Sequence, residues 1–333
     1  MAAIRIATFN VENLLRRFDF RRFGQLIREP ALEILGVDED PDDVLRKALH
    51  VTLTDDSRQQ TAQAIRDTAA DLVCLQEIDD SRVLDDFHDL YLERSTGVHY
   101  GWRRLLAGND LRGIDVAAMS KQRISVESHR EVTFAELDLF NDALEELGET
   151  PDSRVFRRDV LEVTTRVGER ELVVFVCHFK SMSEGREETE PLRVAEATAV
   201  RRIVEERFPE PAAADWLIVG DLNDFIEDAD GDPVASGLDP LFEGDFCVNL
   251  VARLPLAERW THYFPAERSK HQLDYLLASP ALAERNPDAR PDIVRRGQPY
   301  RVPGIEDLER YPRVGLDRPK ASDHCPVAVT LEI

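Results

Sequence analysis

The chain has 333 residues and a formal net charge of −23, from 65 Asp and Glu against 42 Lys and Arg residues. This length can bury a large core, in one large α/β domain or two smaller ones. A surface so acidic repels polyanions unless cations gather locally, which disfavours indiscriminate binding to nucleic acid or anionic membranes. An adaptation to solubility or to salt explains the charge equally well.

The chain shows no division into domains. No Pro-, Gly- or Ser-rich linker and no internal repeat interrupts it, so we predict one domain over residues 1–333 with insertions at residues 16–57, 130–157 and 285–321. No obligate protein partner is evident. The N-terminus lacks a basic segment followed by an apolar one, and no apolar run approaches transmembrane length. We expect a cytoplasmic protein without a membrane segment.

The four cysteines predict buried thiols. At least three of them lie in apolar, strand-like segments, and none has the CxxC spacing of a metal site. This pattern is typical of a reducing compartment, although an even number of cysteines leaves disulfide pairing open. The residues are Cys74, Cys177, Cys247 and Cys325.

The first predicted strand ends in two polar residues. Ile4 to Phe9 alternates and continues into Asn10 and Glu12, which share a face because strand side chains two apart point the same way. A strand followed by a simple cap would also explain this pair. Residues 16–57 are charged and irregular, and we predict a surface insertion with one or two short helices.

A helix and a buried strand come next. Apolar residues at helical spacing predict a helix over residues 57–70, and the following apolar run predicts a strand that ends at Glu77. A glutamate is costly to bury without a cation or hydrogen-bond donors beside it, so metal binding is a serious interpretation for Glu77. Further strands are predicted over residues 111–120, 124–134 and 159–165, with helix and loop over residues 136–149.

The apolar strand predicted over residues 171–177 leads into His178, Lys180 and Ser181. A histidine at a strand end usually makes structural hydrogen bonds and has no catalytic role. Here a lysine on the same face and an adjacent serine favour contact with phosphate. A helix predicted over residues 191–208 then leads towards the next strand.

That next strand delivers Asp221 and Asn223 to its C-terminal end, on one face. A carboxylate and an amide aimed together can hold a water molecule and a phosphoryl oxygen. Taken alone, a turn rich in Asp and Asn explains the pair equally well. The acidic residues that follow, up to Asp232, resemble a calcium loop only loosely, because the expected Gly and distal Glu are missing. We therefore predict no calcium site there.

The last third of the chain contains a predicted hairpin, formed by residues 259–264 and 272–277. Residues 287–320 are Pro- and Arg-rich and irregular, which is typical of a functional lid or a mobile insertion. A final strand is predicted over residues 327–333.

Two charged positions in this third require partners. Asp274 interrupts an apolar strand, and Asp323 and His324 precede the final strand. We expect Asp274 to orient the imidazole of His324, which leaves Asp323 free for a metal.

The polar residues at these strand ends suit one reaction. Carboxylates such as those of Glu12, Glu77 and Asp323 suit a hard cation, Mg²⁺ or Mn²⁺. Side chains that suit phosphate oxygens are Asn10, Asn223, His178 and His324.

Seven short motifs carry these residues in a fixed order between residues 4 and 333. They are Thr8-Phe9-Asn10-Val11-Glu12, Leu75-Gln76-Glu77, Gly113-Ile114-Asp115-Val116-Ala117, His178-Phe179-Lys180-Ser181, Gly220-Asp221-Leu222-Asn223-Asp224, Leu273-Asp274-Tyr275 and Ser322-Asp323-His324-Cys325-Pro326. In this order they resemble the endonuclease/exonuclease/phosphatase superfamily. That superfamily includes pancreatic-type deoxyribonuclease, abasic-site endonucleases, neutral sphingomyelinases and inositol polyphosphate 5-phosphatases.

The resemblance implies an α/β fold, a four-layer α/β sandwich in which two mixed β-sheets pack face to face with helices outside. It places the site at one end of the sandwich. It makes Glu77 the principal metal ligand, with Asn10, Glu12 and Asp323 around the metal or its waters.

The resemblance also implies catalytic roles. Asp221 would orient or deprotonate the attacking water, and Asn223 would hold that water and a phosphate oxygen. His178, and His324 paired with Asp274, would stabilise the charge on the phosphate. Substrate contacts would come from Asn10, Asn223, His178, Lys180, Ser181 and Arg112, although Arg112 could instead pair with Asp115.

We expect a metal-dependent phosphoesterase that uses Mg²⁺ or Mn²⁺. Within that class we favour a phosphodiesterase with endonuclease or exonuclease activity. The acidic surface favours a small nucleotide, sugar phosphate or lipid head group over DNA or RNA as the phosphate-ester substrate. A non-catalytic binding protein would be expected to have lost a metal ligand or the Asp-His pair, and this chain retains both.

Overall fold

The computed structural model describes residues 2–14, 41–110 and 113–333. Its strands are β1 (Ala3–Leu14), β2 (Leu72–Ile78), β3 (Trp102–Leu105), β4 (Asp115–Ser120), β5 (Ile124–Ser128), β6 (Leu161–Val167), β7 (Arg170–His178), β8 (Trp216–Asp221), β9 (Val248–Asn249), β10 (His262–Phe264), β11 (Ser269–His271), β12 (Asp274–Ala278), β13 (Asp292–Ile293) and β14 (Val327–Glu332). Its α-helices are α1 (Pro41–Thr68), α2 (Ser81–Phe87), α3 (Arg94–Thr96), α4 (Asp142–Glu146), α5 (Arg186–Arg207), α6 (Asp239–Phe242) and α7 (Pro280–Arg285).

The strands form two mixed six-stranded sheets and a separate hairpin of β10 and β11. The first sheet has the order β13-β14-β1-β2-β4-β3, and the second has the order β5-β6-β7-β8-β12-β9. Each sheet contains one parallel pair, β1 with β2 and β7 with β8, and its other pairs are antiparallel.

Three apolar clusters define four layers. One cluster lies between the two sheets and contains Ile6 of β1 and Val219 of β8. A second packs α5 against the outer face of the second sheet, and a third packs α1 and α2 against the outer face of the first. Both faces of each sheet are buried, which explains the nearly continuous apolar runs of the central strands. The four-layer sandwich expected from the sequence is confirmed.

Two predicted elements take a different form in the structure. The helix predicted over residues 57–70 is present, but it begins at Pro41 and runs for 28 residues to Thr68, so it takes in part of the predicted surface insertion. The hairpin predicted from residues 259–264 and 272–277 also differs, because β10 pairs with β11 while β12 joins the second sheet beside β8. The apolar residues of β12 are buried in that sheet. The residue pattern along one strand cannot show which strand it pairs with.

Two of the predicted insertions contribute to the cores. Phe134 and Leu144 pack in the cluster beneath α5, and Tyr311 and Val314 pack in the cluster beneath α1. The strand predicted over residues 124–134 ends at Ser128, and the chain continues as a loop that packs through such anchors. Across the described ranges, no helix combines the length and the apolar character that crossing a membrane would require.

Gly220 permits the close approach of the two parallel strands that carry the site. Its φ is +141°, and a Cβ built on it would lie 1.9 Å from the carbonyl oxygen of Cys177, its register partner in β7. A side chain of any size would push β8 away from β7. The glycine before Asp221 is therefore a packing requirement of the site.

We expect Gly220→Ala to destabilise the protein by at least about 2 kcal/mol, because the methyl group overlaps backbone and the φ disfavours an L residue. Thermal unfolding measures the loss. Gly101→Ala is the matched control, since a Cβ there has His99 Nε2 at 3.8 Å as its nearest neighbour. Equal melting temperatures for the two variants would contradict this role of Gly220.

Glu196, on the buried side of α5, anchors the chain that follows β7. It is 1% exposed and accepts the Lys180 backbone N–H at 2.7 Å. Burial raises the pKa of Glu196 from its usual 4.5 to about 7. The folded state thus holds this proton more tightly than the unfolded chain, and the stability that protonation contributes below pH 4.5 is lost as the pH rises through about 7.

We expect Glu196→Gln to weaken this pH dependence, because the amide keeps an acceptor for Lys180 and cannot ionise. Between about pH 5 and 8 its free energy of unfolding should fall less than that of the wild type, by on the order of 2 kcal/mol. Urea unfolding across the pH range measures this. Glu187→Gln, exposed on the same helix, should follow the wild type. If the free energy of unfolding changed with pH in the same way for all three proteins, Glu196 would not be the group responsible.

Candidate active site

The ends of strands from both sheets meet at one end of the sandwich. The parallel pair β1 and β2 brings Asn10 and Glu77 together, and the parallel pair β7 and β8 brings His178 and Asp221 together. The antiparallel strand β12 begins at Asp274, directly opposite Asp221 in the register. Five of the residues predicted from separate motifs therefore lie at neighbouring strand ends.

Asp221 Oδ2 is the point where these side chains meet. Asn10 Nδ2 and Asn223 Nδ2 each lie 3.0 Å from it, His178 Nε2 lies at 3.5 Å and His324 Nε2 at 3.6 Å. The Asp221 carboxyl is 1% exposed, and burial raises its pKa to about 7 against the opposing effect of His324. A carboxylate with such a pKa can take up a proton near neutral pH.

The backbone at three strand ends is held in an unfavourable conformation. Glu12, Glu77 and Asn223 have φ values of 52°, 68° and 51°, in the left-handed region that non-glycine residues rarely adopt. Each such residue costs on the order of 1–3 kcal/mol and persists only where the surrounding structure enforces it. All three belong to the predicted site, where side chains from separate strands must point to one place.

Glu77 has the environment of a metal ligand. Its carboxylate accepts hydrogen bonds from Asn13 N at 2.7 Å and Asn10 Nδ2 at 3.3 Å, and His178 Nε2 lies at 3.9 Å. Within the part of the chain that the structure describes, no Lys or Arg lies within ion-pair distance of it. A partly buried carboxylate without such a partner fits a divalent cation, which prefers oxygen ligands.

His324 is held by Asp274, as the sequence predicted. His324 Nδ1 lies 2.8 Å from Asp274 Oδ2, and Asp274 is fully buried. Burial alone would lower the pKa of His324, but Asp274 and Asp221 outweigh it and raise that pKa well above its usual value. The two carboxylates thus favour the protonated ring, whose Nε2 lies 3.6 Å from Asp221 Oδ2.

Glu12 lies in a different environment from Glu77. Arg318 Nη2 contacts Glu12 Oε1, and Lys320 Nζ lies 3.1 Å from Glu12 Oε2 and 3.9 Å from Asp323 Oδ2. Burial and Asp323 raise the pKa of Glu12, whereas Lys320 and His324 outweigh desolvation and lower the pKa of Asp323 to about 2. Glu12 and Asp323, both predicted metal ligands, thus both lie close to the ammonium group of Lys320.

Two predicted phosphate contacts lie away from Asp221. Regular strand structure ends at His178, so Lys180 does not follow the alternation that the sequence suggested. Lys180 Nζ pairs with Glu184 at 2.8 Å, and Lys180 and Ser181 line a separate cavity of about 500 Å³. Arg112, the third predicted contact, lies outside the described residues.

His262 is a site neighbour that the sequence did not indicate. Its ring centroid is 4.6 Å from that of His324, and its Nε2 is 4.0 Å from Asp323 Oδ2. Burial lowers its pKa to about 3. The sequence placed His262 in the hairpin, but the main-chain bridge between His262 and His324 is a tertiary contact that no local pattern shows.

Asp224 proved to be a structural residue. Arg193 Nε at 2.9 Å and Arg186 Nε at 2.7 Å bind its two oxygens, and Gly237 N donates to it at 3.0 Å. It thereby ties α5 to the loop after β8. Glu227, further along that loop, pairs with Arg259 at 2.6 Å. These pairings leave neither carboxylate for a calcium ion.

Comparison with known proteins agrees with this geometry. A profile of the endonuclease/exonuclease/phosphatase family matches residues 52–286. A truncated Caenorhabditis elegans TDP2 structure shares 14% identity at a TM-score of 0.54, over 99% of this chain and 98% of that one. A humanized D. rerio TDP2 shares 16% identity at 0.54, over the full length of both chains.

A bacterial relative has a similar fold. The Beutenbergia cavernae endonuclease/exonuclease/phosphatase shares 18% identity at a TM-score of 0.54, over 100% of this chain and 72% of that one. No curated protein sequence matches this chain significantly. The chain belongs to the endonuclease/exonuclease/phosphatase family, and it is a metal-dependent phosphoric ester hydrolase.

We expect Asp274→Asn to lower kcat on bis(p-nitrophenyl) phosphate by about 10²- to 10⁴-fold, because the imidazole loses the carboxylate that orients and charges it. Release of p-nitrophenolate with Mn²⁺ measures kcat, and the Mn²⁺ concentration for half-maximal rate should not change. Asp245→Asn, on an exposed loop, is the control. A folded Asp274→Asn enzyme with normal kcat would show that the pair is not part of the chemistry.

Proposed function

We propose that this protein is a divalent-metal-dependent phosphodiesterase with nuclease-type activity, which cleaves phosphodiesters by in-line attack of a water molecule on phosphorus. The observation that supports this most is the environment of Asp221. One buried carboxylate oxygen is shared by two amides and faces two imidazoles. Phosphoryl transfer needs such positioning and charge stabilisation far more than covalent help.

In this proposal Asp221 aligns the water and accepts its proton. Asn223 Nδ2 is fixed by Asp221 and by the Phe179 carbonyl at 3.1 Å, so its amide oxygen is oriented for the water or a phosphate oxygen. His178 and His324 donate to the phosphoryl oxygens as negative charge develops there. The closed network around Asp221 holds these groups before substrate arrives.

The metal in this proposal is Mg²⁺ or Mn²⁺. Glu77 would be its principal ligand with Asn10 beside it, and Asp323 and Glu12 would contribute directly or through water. The bound ion would polarise the phosphate and stabilise the leaving oxygen. Asn10 Nδ2 bridges Glu77 and Asp221, so one amide couples the metal ligand to the base.

A small phosphate ester is the second candidate substrate. The net charge of −23 opposes long polyanions, and it favours a nucleotide, sugar phosphate or lipid head group that needs only local positive charge. The same site chemistry would serve either substrate.

The four cysteines bear on the compartment. All are buried, free thiols, so no disulfide requires an oxidising environment. This supports the cytoplasmic location proposed from the sequence.

Plasmid nicking tests the proposed activity. With Mg²⁺ or Mn²⁺ we expect the wild type to convert supercoiled plasmid to open circles, and Asp221→Asn to lose at least about 10³-fold in rate because the base is gone. Chelator should abolish nicking. The decrease in the nicking rate between low and high salt should report the number of phosphate contacts. Asp152→Asn, on an exposed loop, is the control.

The result separates the two candidate substrates. No nicking by folded, metal-supplied protein that still hydrolyses bis(p-nitrophenyl) phosphate would exclude the nuclease and leave the small ester. Nicking that survives in Asp221→Asn would exclude Asp221 as the base.

A further inference from the structure

A cavity of about 630 Å³ opens beside the catalytic centre. One wall comes from His262, Tyr263 and Pro265, and the other, which includes Asp323, comes from the segment between β13 and β14. Three cationic side chains line it, namely Arg301, Arg318 and Lys320. The carboxylates of Asp317 and Asp323 line it as well, and Glu12 pairs with two of the cations, so the cavity offers cationic N–H donors beside carboxylates, without a net positive charge.

The segment that supplies these cations is firmly built. Gln298 Nε2 donates to the carbonyls of Ser322 at 3.2 Å and His324 at 2.9 Å, and Ala321 N donates to Gly297 O at 3.0 Å. A Cβ on Gly297 would lie 2.3 Å from the Ala321 side chain, so the two ends of this loop are in close contact. The family profile ends at residue 286, so this wall lies beyond the matched region.

Each cation has a carboxylate that fixes its position. Arg301 pairs with Asp317, Arg318 with Glu12, and Lys320 with Glu12 and Asp323. The side chains of Glu12 and Lys320 are 14% and 13% exposed, so this pair is well shielded from solvent. A guanidinium has five N–H donors and an ammonium has three, so these contacts leave donors for an incoming anion.

Glu12 and Glu77 thus differ in what they hold. Among the described residues, Glu77 contacts amide donors and one imidazole, whereas both oxygens of Glu12 meet cations. Lys320 Nζ lies between Glu12 and Asp323, where it already supplies positive charge to both carboxylates. This arrangement suits a carboxylate that anchors phosphate-binding side chains.

We propose that this cavity binds a second phosphate group of the substrate, and that Lys320 and Arg318, anchored by Glu12, recognise it. The proposal rests on the proposed phosphodiesterase function and specifies its substrate class: a diester that carries another phosphate close to the one cleaved. Glu12 then acts chiefly by positioning these two cations. A short or terminally phosphorylated nucleotide, or a sugar bisphosphate, presents this pair of phosphates.

Two chromogenic diesters that differ only by the second phosphate test the idea. They are thymidine 5′-(p-nitrophenyl phosphate) and its 3′-phosphorylated derivative, which release the same leaving group. We expect the wild type to favour the 3′-phosphorylated ester by at least about tenfold in kcat/KM, equivalent to about 1.4 kcal/mol. Equal values for the two esters would overturn the proposal.

Substitutions test which side chains recognise the second phosphate. Lys320→Met and Arg318→Met should each lower kcat/KM for the 3′-phosphorylated ester at least about fivefold more than for the single-phosphate ester, which removes most of the preference. The metal concentration for half-maximal rate should stay the same or fall, because Glu12 and Asp323 lose a competing cation. Arg313→Met, on the exposed outside of the same segment, should retain the preference. Equal losses on both esters would show that the cations support the fold or the metal, and would refute a second-phosphate site.

A binding measurement keeps the two proposals distinguishable. In calorimetry with Mg²⁺, thymidine 3′,5′-bisphosphate should bind the wild type at least about tenfold more tightly than thymidine 5′-phosphate, and Lys320→Met should erase the difference. If the wild type cleaves neither ester but shows this difference, the proposed activity fails and the cavity assignment stands. If it cleaves both without preference and binds both ligands equally, the activity stands and the assignment fails. Competition by an inositol bisphosphate separates a sugar-phosphate substrate from a nucleotide.

Discussion

A single buried carboxylate oxygen, Oδ2 of Asp221, organises this molecule's active end. Burying a carboxylate is costly, and the cost is offset only when donors and cations surround it. Here Asn10 comes from one sheet, while Asn223 and His178 come from the other. The packing of the two sheets therefore completes the environment of Asp221, and a shift of one sheet against the other would remove the Asn10 donor.

The strained strand ends follow from that constraint. A regular strand would direct alternate side chains to opposite faces, but the site requires consecutive motifs to turn inwards. Left-handed conformations at Glu12, Glu77 and Asn223 achieve this turn. Backbone N–H groups at these strand ends stabilise it by donating to the side chains of Asn10, Glu77 and Asp221. Gly220 supplies the remaining freedom, because only a glycine allows β8 to approach the Cys177 carbonyl so closely. Stability and catalytic geometry thus depend on the same few backbone positions.

The charges at the site are divided between two regions. Around Glu77 the described neighbours are amides and an imidazole, an environment that suits a divalent cation. Around Glu12 and Asp323 the chain supplies its own cations from Arg318 and Lys320. In the proposed second-phosphate site the cationic donors are gathered in one cavity, so a strongly acidic protein would need no basic surface to bind such an ester.

Much of this could be predicted from the sequence, because each motif is local. A buried strand that ends in Asp221 and Asn223, or in Glu77, shows by its own alternation and composition what it delivers. The pairing of Asp274 with His324 could also be anticipated, since a carboxylate inside an apolar strand requires a partner. Seven such motifs in order indicate the family and hence the four-layer fold.

Only the tertiary structure decided the features that depend on separate segments meeting in space. The pairing of β10 with β11, the place of β12 in the second sheet, and the approach of His262 to His324 are long-range contacts without a local pattern. Lys180 lies away from Asp221 because regular alternation stops at His178. Lys320 and Arg318 reach Glu12 across more than 300 residues of sequence, since the loop that carries them packs beside the last strand. The sequence determined which chemical groups the site contains, and packing determined which of them touch.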